Sequence, residues 1–255
     1  MKAMLSDALI ALGDDALILG HRLSEWCGHA PMLEEDLSLP NIGLDLIGQA
    51  RNLYCYAGEL EGQGRSEDDL AYLRNEREYR HITLVERANQ DFAITMLRQL
   101  YFAAFMHLFW REAQTSKDKT IAGIAGKAVK EHAYHLRHAG EWVIRLGDGT
   151  PYSHERMRAA VDQLHQDTDE LFAPSDAMAQ CAQSGLLPDI TALESEWSET
   201  ISTTFQQAQL EMPVSDRRKD TSSRLVGRAG IHTEALGHLL SELQYLQRSY
   251  PGANW

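Results

Sequence analysis

Cysteine is scarce in this chain of 255 residues, which contains only Cys27, Cys55 and Cys181. They are isolated, with no C-x-x-C pair and an odd total, so the sequence predicts neither a disulfide framework nor a thiolate zinc site. Such cysteine usage is typical of a reducing compartment, and we expect a cytoplasmic protein. Three aspartates interrupt the N-terminal apolar run, which argues against a secretory signal.

Positive charge is also in deficit, with 24 basic residues against 37 acidic ones and a net charge of -13. A surface this acidic repels phosphate backbones, so nucleic-acid binding is not expected. The exception is the polar segment SDRRKDTSSRLVGRAG at 215–230. Its basic residues predict contact with an anion or an acidic partner, while the alternative is a solvated loop. They are Arg217, Arg218, Lys219, Arg224 and Arg228.

Strand-like alternation is almost absent, and helical periodicity dominates the chain. No composition shift marks a second domain, so we predict one all-α domain over 1–255. Four of its segments are long enough for an antiparallel four-helix bundle of the ferritin-like class, with additional C-terminal helices. The predicted helices lie at about 5–27, 34–61, 67–79, 90–115, 119–146, 153–172, 189–211 and 232–249.

The most apolar stretch is FAITMLRQLYFAAFMHLFW at 92–110, which contains Arg98, Gln99 and His107. A central arginine is costly in lipid, so we interpret this stretch as a core helix rather than a membrane span. It is apolar around most of its circumference, which predicts that a partner surface helps to cover it.

Two helical segments place acids where a bundle interior is expected. Ferritin-like di-iron sites take a Glu from each of two helices and Glu-x-x-His from each of the other two. In NIGLDLIGQARN (41–52), Asp45 is followed three residues later by Gly48, and in KEHAYHLRHAGEW (130–142), Glu131 is followed by Tyr134. Segment 92–110 contains no carboxylate at all. The ligand set is therefore incomplete.

Three interpretations of the remaining groups stay open. Asp45, Gln49, Glu131 and His135 could form a metal-free polar network in place of a lost site, because positions i and i+4 share a helix face. An unusual iron site with few ligands could survive instead, or the groups could simply face solvent. We favour the first interpretation, since nothing else visibly supplies the missing ligand charge. No catalytic residue and no metal ligand is then expected in this chain.

The chain also resembles a known family over most of its length. The most specific stretches are EWCGHAP (25–31), NIGLDLIGQARN (41–52), KEHAYHLRHAGEWVIRLGDGT (130–150) and IHTEALGHLLSELQYLQRSYPGANW (231–255). They are similar to the C-subunit family of bacterial phenylacetyl-CoA epoxidases, the ring 1,2-phenylacetyl-CoA monooxygenases of aerobic phenylacetate breakdown.

The resemblance implies a ferritin-like structural subunit that pairs with a related A subunit. It further implies that the A subunit holds the di-iron centre and that a reductase subunit with flavin and an iron–sulfur cluster delivers electrons from NADPH. We therefore expect a non-catalytic, cytoplasmic subunit with no cofactor of its own, in proximity to a CoA thioester. The alternatives are a ferritin-like di-iron oxidase or oxygenase in its own right and a helical binding module.

Overall fold

The structure is a computed structural model that describes residues 1–213 and 226–253. Every regular element within these ranges is helical, so the predicted all-α class is confirmed. The helices group into two compact units. The prediction of one domain over 1–255 concerns the whole chain and stays a prediction.

The first unit contains the N-terminal helices and the C-terminal helices. It is built from α1 (Lys2–Ser24), α2 (Leu33–Glu61) from Asp36 onward, α3 (Glu67–Tyr72), α4 (Thr83–Glu86), α10 (Glu234–Leu243) and α11 (Tyr245–Ser249). The second unit contains the middle of the chain and the first turn of α2. Its helices are α5 (Phe92–Ala113), α6 (Lys119–Gly147), α7 (Pro151–Leu164), α8 (Asp176–Gln183) and α9 (Glu194–Gln207).

Small residues let α1 and α2 approach closely in the first unit. A Cβ added to Gly43 would lie 2.9 Å from the carbonyl oxygen of Gly20, and one added to Gly20 would lie 3.1 Å from that of Gly43. Further along the helices, a Cβ on Gly13 would lie 2.6 Å from the ring of Tyr54. These contacts leave no room for larger residues at the three glycines. Helix α1 is buried along most of its length, and its two consecutive acids are buried with it.

Helix α5 forms the core of the second unit. It packs against α6, α7, α9 and the 3-10 turn Ile190–Leu193. By length and composition it could cross a membrane, but 89% of its most apolar window is buried inside the protein. The prediction of a core helix is therefore confirmed. The prediction that a partner must cover α5 is wrong, because the helices of the same chain already bury it.

Side-chain caps fix the beginnings of the helices in the second unit. Asp91 caps α5 by accepting from the amide of Ile94, and Asp118 caps α6. Thr150 forms a capping box with Ser153 at the start of α7. Such caps satisfy backbone donors that lack a partner within the helix.

Several observed helices differ from the sequence predictions. The short helix α4 was not predicted, and the helix predicted over 153–172 ends at Leu164, where a 3-10 segment begins. The helix predicted over 67–79 ends at Tyr72, and the following residues form a 3-10 turn at Glu76–Glu78. The sequence analysis also missed α8, which begins after its cap Ser175.

Candidate functional site

A buried carboxylate–guanidinium pair lies inside the first unit. Asp14 on α1 is fully buried, and its Oδ2 accepts from Arg74 Nη1 at 3.0 Å while its Oδ1 accepts from Arg74 Nη2. The hydroxyl of Tyr54 donates to Oδ1 at 2.5 Å, and the amide of Arg80 donates to Oδ2 at 2.7 Å. Both oxygens of Asp14 are therefore occupied by donors from this chain.

The guanidinium of Arg74 is held on more than one side. Its Nε donates to the carbonyl of Leu70 at 2.6 Å, and its carbon lies 4.2 Å from the ring centroid of Tyr79, a cation–π distance. Burial opposes its charge, but Asp14 nevertheless raises the pKa of Arg74. Burial, followed by the charge of Asp14, raises the pKa of Tyr54 well above its usual range. Arg74 is therefore a fixed cation, and Tyr54 is a neutral donor.

Asp15, the second acid of α1, has an arginine of its own. Its Oδ2 accepts from Arg228 Nη2 at 2.6 Å, and its Oδ1 accepts from the amide of Ile82 at 2.9 Å. Arg228 Nη1 also donates to the carbonyls of Ala11 and Arg80. Burial raises the pKa of Asp15 to about 6, against the opposing charge of Arg228.

This geometry bears on the predicted basic contact segment. Arg228 is bonded inside the first unit, with its side chain 7% exposed, so it is not presented to an external anion. The other members of that prediction, Arg217, Arg218, Lys219 and Arg224, lie outside the described residues.

A third buried cluster links α4 to the segment before α10. Glu86 Oε2 accepts from His81 Nε2 at 2.7 Å and from His232 Nδ1 at 3.0 Å, while its Oε1 accepts from the amide of Thr233 at 2.6 Å. His232 Nε2 donates to the carbonyl of Tyr79 at 3.1 Å. The ring of His232 thus bridges a carboxylate oxygen and a backbone carbonyl oxygen.

Hydrogen bonds keep the carboxylate of this cluster ionised. Burial disfavours ionisation of Glu86, but hydrogen bonds from His232 and His81 lower its pKa to about 2. Burial lowers the pKa of His81, so that ring is neutral and donates through Nε2. The ionised carboxylate of Glu86 is thus held by two histidine rings and the Thr233 amide, and His81 is its neutral neighbour.

The same three side chains are close enough together to be considered as metal ligands, with ligand atoms within 4.8 Å of one another. The rings of His81 and His232 are stacked, with centroids 4.3 Å apart and an interplanar angle of 20°. Lone pairs lie in the ring planes, so nearly parallel planes direct them poorly toward one ion. The arrangement fits a hydrogen-bonded cluster better than a metal site.

Helix α6 provides two buried histidines of the second unit. His132 and His135 are fully buried, with ring centroids 5.0 Å apart, and His132 also contacts the ring of Phe102. Burial, followed by the charges of His135 and His107, lowers the pKa of His132 well below its usual value. His132 is therefore a neutral core residue.

Other charged groups in the second unit are satisfied locally. Glu35 is buried and accepts from His138 Nε2 at 2.9 Å and from Trp142 Nε1 at 2.8 Å. The buried Arg98, in the middle of α5, donates to Asn89 Oδ1 at 2.6 Å. The interior of α5 thus contains a buried cation and no carboxylate between Asp91 and Glu112.

The predicted polar network is distributed over the two units. Asp45 is half-buried and Gln49 is buried, both on α2 in the first unit. Glu131 and His135 belong to the second unit, where Glu131 is half-buried and forms an ion pair with Lys127 at 3.1 Å. The prediction that these four residues form one network stays a prediction.

The buried histidines predict a pH-dependent stability. Because the pKa of His132 is lowered, the unfolded chain binds a proton below pH 6.5 that the folded chain does not. Stability should therefore fall with decreasing pH, by about 1.4 kcal/mol per pH unit for this group. We expect His132→Gln to reduce this slope between pH 6.5 and 5 in urea unfolding. The exposed His29→Gln is the control, and equal slopes in wild type and His132→Gln would contradict the assignment.

Sequence reasoning missed Arg74, Glu86, His232 and Glu35 as members of buried clusters. One signal for the first cluster was available, namely two consecutive acids within the apolar run ALGDDALIL. Such acids require buried donors. The identity of those donors was hidden, because Arg74 follows Asp14 by 60 residues and lies in a polar stretch.

Comparison with known proteins identifies the family of this chain. A family model described as "Phenylacetic acid catabolic protein" matches residues 2–255. The chain is 42% identical over 246 residues to a protein of Escherichia coli (strain K12) whose name describes it as the C subunit of 1,2-phenylacetyl-CoA epoxidase. The match covers 96% of this chain and 97% of the relative. It agrees with the all-α, ferritin-like class predicted from the sequence.

Proposed function

Because the chain belongs to the phenylacetic acid catabolic protein family, we propose that it is the non-catalytic, structural subunit of a phenylacetyl-CoA 1,2-epoxidase. In this role it supports a separate subunit that holds the di-iron centre, within a cytoplasmic complex that also contains the reductase. The relative's name, which describes one component of that epoxidase, supports the assignment to a multi-subunit assembly.

The observation that carries the non-catalytic role is the pairing of the α1 acids with arginines. A di-iron centre needs anionic oxygens that are free to hold two cations. Here Asp14 is bonded to Arg74 and Asp15 to Arg228. Arg98 adds a buried cation on α5, which has no carboxylate between Asp91 and Glu112. At the α1 acids, guanidinium groups supply the positive charge that metal ions would supply in a di-iron site.

The first test is iron binding by the purified chain. After incubation with ferrous iron in air and removal of the excess, we expect no stoichiometric iron and no near-ultraviolet absorption of an oxo-bridged pair. The matched positive control is a di-iron subunit of the same family, treated in parallel. Stoichiometric iron in this chain would overturn the proposal and favour a di-iron oxidase using Asp45, Glu131 and His135.

The second test is the dependence of turnover on this chain. Epoxidase activity should be at background when the di-iron subunit and the reductase are mixed without it, and adding the folded chain should restore activity. An unrelated acidic helical protein serves as the control for nonspecific stabilisation. Full turnover without this chain would contradict the structural role.

A further inference from the structure

The segment Val226–Thr233, which leads into α10, is held to the first unit mainly by polar groups. Its large aliphatic side chains face solvent, with Val226 36% and Ile231 47% exposed. The side chains of Arg228 and His232 are buried, at 7% and 4% exposure. Because such a segment buries little apolar surface of its own, it can open locally while the helices stay folded. We refer to Val226–Thr233 as the strap.

Two buried glycines seat the strap on the backbone beneath it. A Cβ on Gly227 would lie 2.0 Å from the carbonyl oxygen of His81. Gly230 adopts the left-handed conformation, with φ +76°, and a Cβ there would lie 2.5 Å from the carbonyl oxygen of Arg77. The strap therefore fits closely against residues 77–82 and has a defined closed position.

The guanidinium of Arg228 is surrounded by three oxygen atoms, which we call the oxygen cradle. Its Nη2 donates to Asp15 Oδ2 at 2.6 Å, and its Nη1 donates to the carbonyls of Ala11 at 3.0 Å and Arg80 at 2.8 Å. All three oxygen atoms lie outside the strap. The amide of Ile82 also donates to Asp15 Oδ1 and so orients the carboxylate independently of Arg228. The strap supplies only the cation.

A second contact holds the other end of the strap. His232 Nδ1 lies 3.0 Å from Glu86 Oε2, and the amide of Thr233 donates to Glu86 Oε1 at 2.6 Å. Glu86 is held as well by His81 Nε2, which does not belong to the strap. At each end, the strap therefore brings donors to a carboxylate that other residues of the first unit already orient.

We propose that the strap is a tethered ligand of the first unit, which docks Arg228 in a preformed oxygen cradle and opens as one local unit while α1 stays folded. A planar guanidinium suits the cradle, because its diverging N–H groups reach three oxygen atoms at once and an ammonium does so less well. Opening admits water to Asp15, so the strap controls the access of solvent cations to this buried acid. It also detaches the beginning of α10 from Glu86.

Hydrogen exchange of the wild-type full chain tests local opening, in urea concentrations below the unfolding transition at pH 7. Burial raises the pKa of Asp15 to about 6, so its carboxylate is mostly ionised there. Exchange of the bonded strap amides of Gly230 and Thr233 should depend weakly on urea, because local opening exposes little surface. Amides of α1 should show the steep dependence of global unfolding. Equal slopes for the strap and α1 would overturn the proposal.

Arg228→Ala removes the tethered cation. The strap amides should exchange at least about tenfold faster, because the hydrogen bonds of a buried cation are lost, while α1 stays protected. The matched control is Arg51→Ala, which removes an arginine of the first unit whose side chain is 72% exposed and should leave strap exchange unchanged. Loss of protection throughout α1 would assign Arg228 to the core of the unit, and unchanged strap exchange would show that the cradle does not hold the strap. Either result overturns the proposal.

Methylguanidinium, added below denaturing concentrations, tests the cradle itself. It should slow strap exchange in Arg228→Ala in a saturable manner, because it fills the space left by the guanidinium and stabilises the closed strap by binding. Potassium chloride at equal ionic strength should not do so. The double variant Asp15→Asn/Arg228→Ala lacks the carboxylate of the cradle and should show no rescue. Absence of rescue in Arg228→Ala, or equal rescue in the double variant, would show that these oxygen atoms form no cation site and would overturn the proposal.

Discussion

Replacing Arg74 with methionine is expected to lower the free energy of unfolding by about 3–5 kcal/mol, the range for breaking a buried ion pair from one side. Methionine keeps much of the side-chain volume but leaves the carboxylate of Asp14 with only Tyr54 and the Arg80 amide as donors. The backbone carbonyls of Leu70 and Glu78 also lose a donor. Urea unfolding followed by circular dichroism measures the loss.

Two further variants show whether the loss comes from the stranded charge. Arg77→Met removes an exposed arginine three residues away and should change stability by less than about 0.5 kcal/mol. The double variant Asp14→Asn/Arg74→Met removes both charges and should be more stable than Arg74→Met alone, because no ionised group is left buried without its partner. A double variant that is no better than the single one would mean that Arg74 acts through packing.

Replacing Glu86 with glutamine is expected to cost about 2–4 kcal/mol, because it places a donor against donors within a buried site. The amide group of glutamine would face N–H groups of His81, His232 or the Thr233 backbone, which all donate to the carboxylate in wild type. The ring of His232 would also lose its carboxylate partner. Chemical denaturation at pH 7 gives the size of the effect.

A local probe identifies where this loss arises. The cluster anchors the segment before α10, so hydrogen exchange of the Thr233 amide should accelerate in Glu86→Gln more than exchange within α5. The exposed Glu242→Gln on α10 is the control and should leave both exchange rates unchanged.

In wild type, the lowered pKa of Glu86 means that the contribution of this carboxylate to stability persists above pH 4.5 and is lost as the pH falls toward 2. Unchanged stability of Glu86→Gln would show that the carboxylate is replaceable.

Much of the fold was accessible from the sequence because helices leave a local signature. The periodicity of apolar residues located α5 and α6 to within a few residues. The short α8 was missed because eight residues carry little periodic signal. The sequence predicted that α5 is a buried core helix. It did not predict which elements bury α5, since α9 and the turn before it are distant in sequence.

The candidate site was less accessible, because its contacts join distant parts of the chain. The missing ligand spacing around Asp45 and Glu131 could be read directly from the sequence. The arginines that neutralise the α1 acids could not, since Arg228 looked like one member of a solvated basic run and is bonded to Asp15 instead. A residue's type gives its charge, while its partner depends on tertiary packing.

The pairing of Asp14 with Arg74 also affects how this chain can be produced. A metal ion must be acquired from the surroundings and can be removed by a chelator, whereas a guanidinium is synthesised with the polypeptide and cannot dissociate from it. In proteins whose interior carboxylates hold a metal, folding is linked to metal availability. The α1 acids of this chain take their counter-charges from Arg74 and Arg228, which are present as soon as the polypeptide has been made.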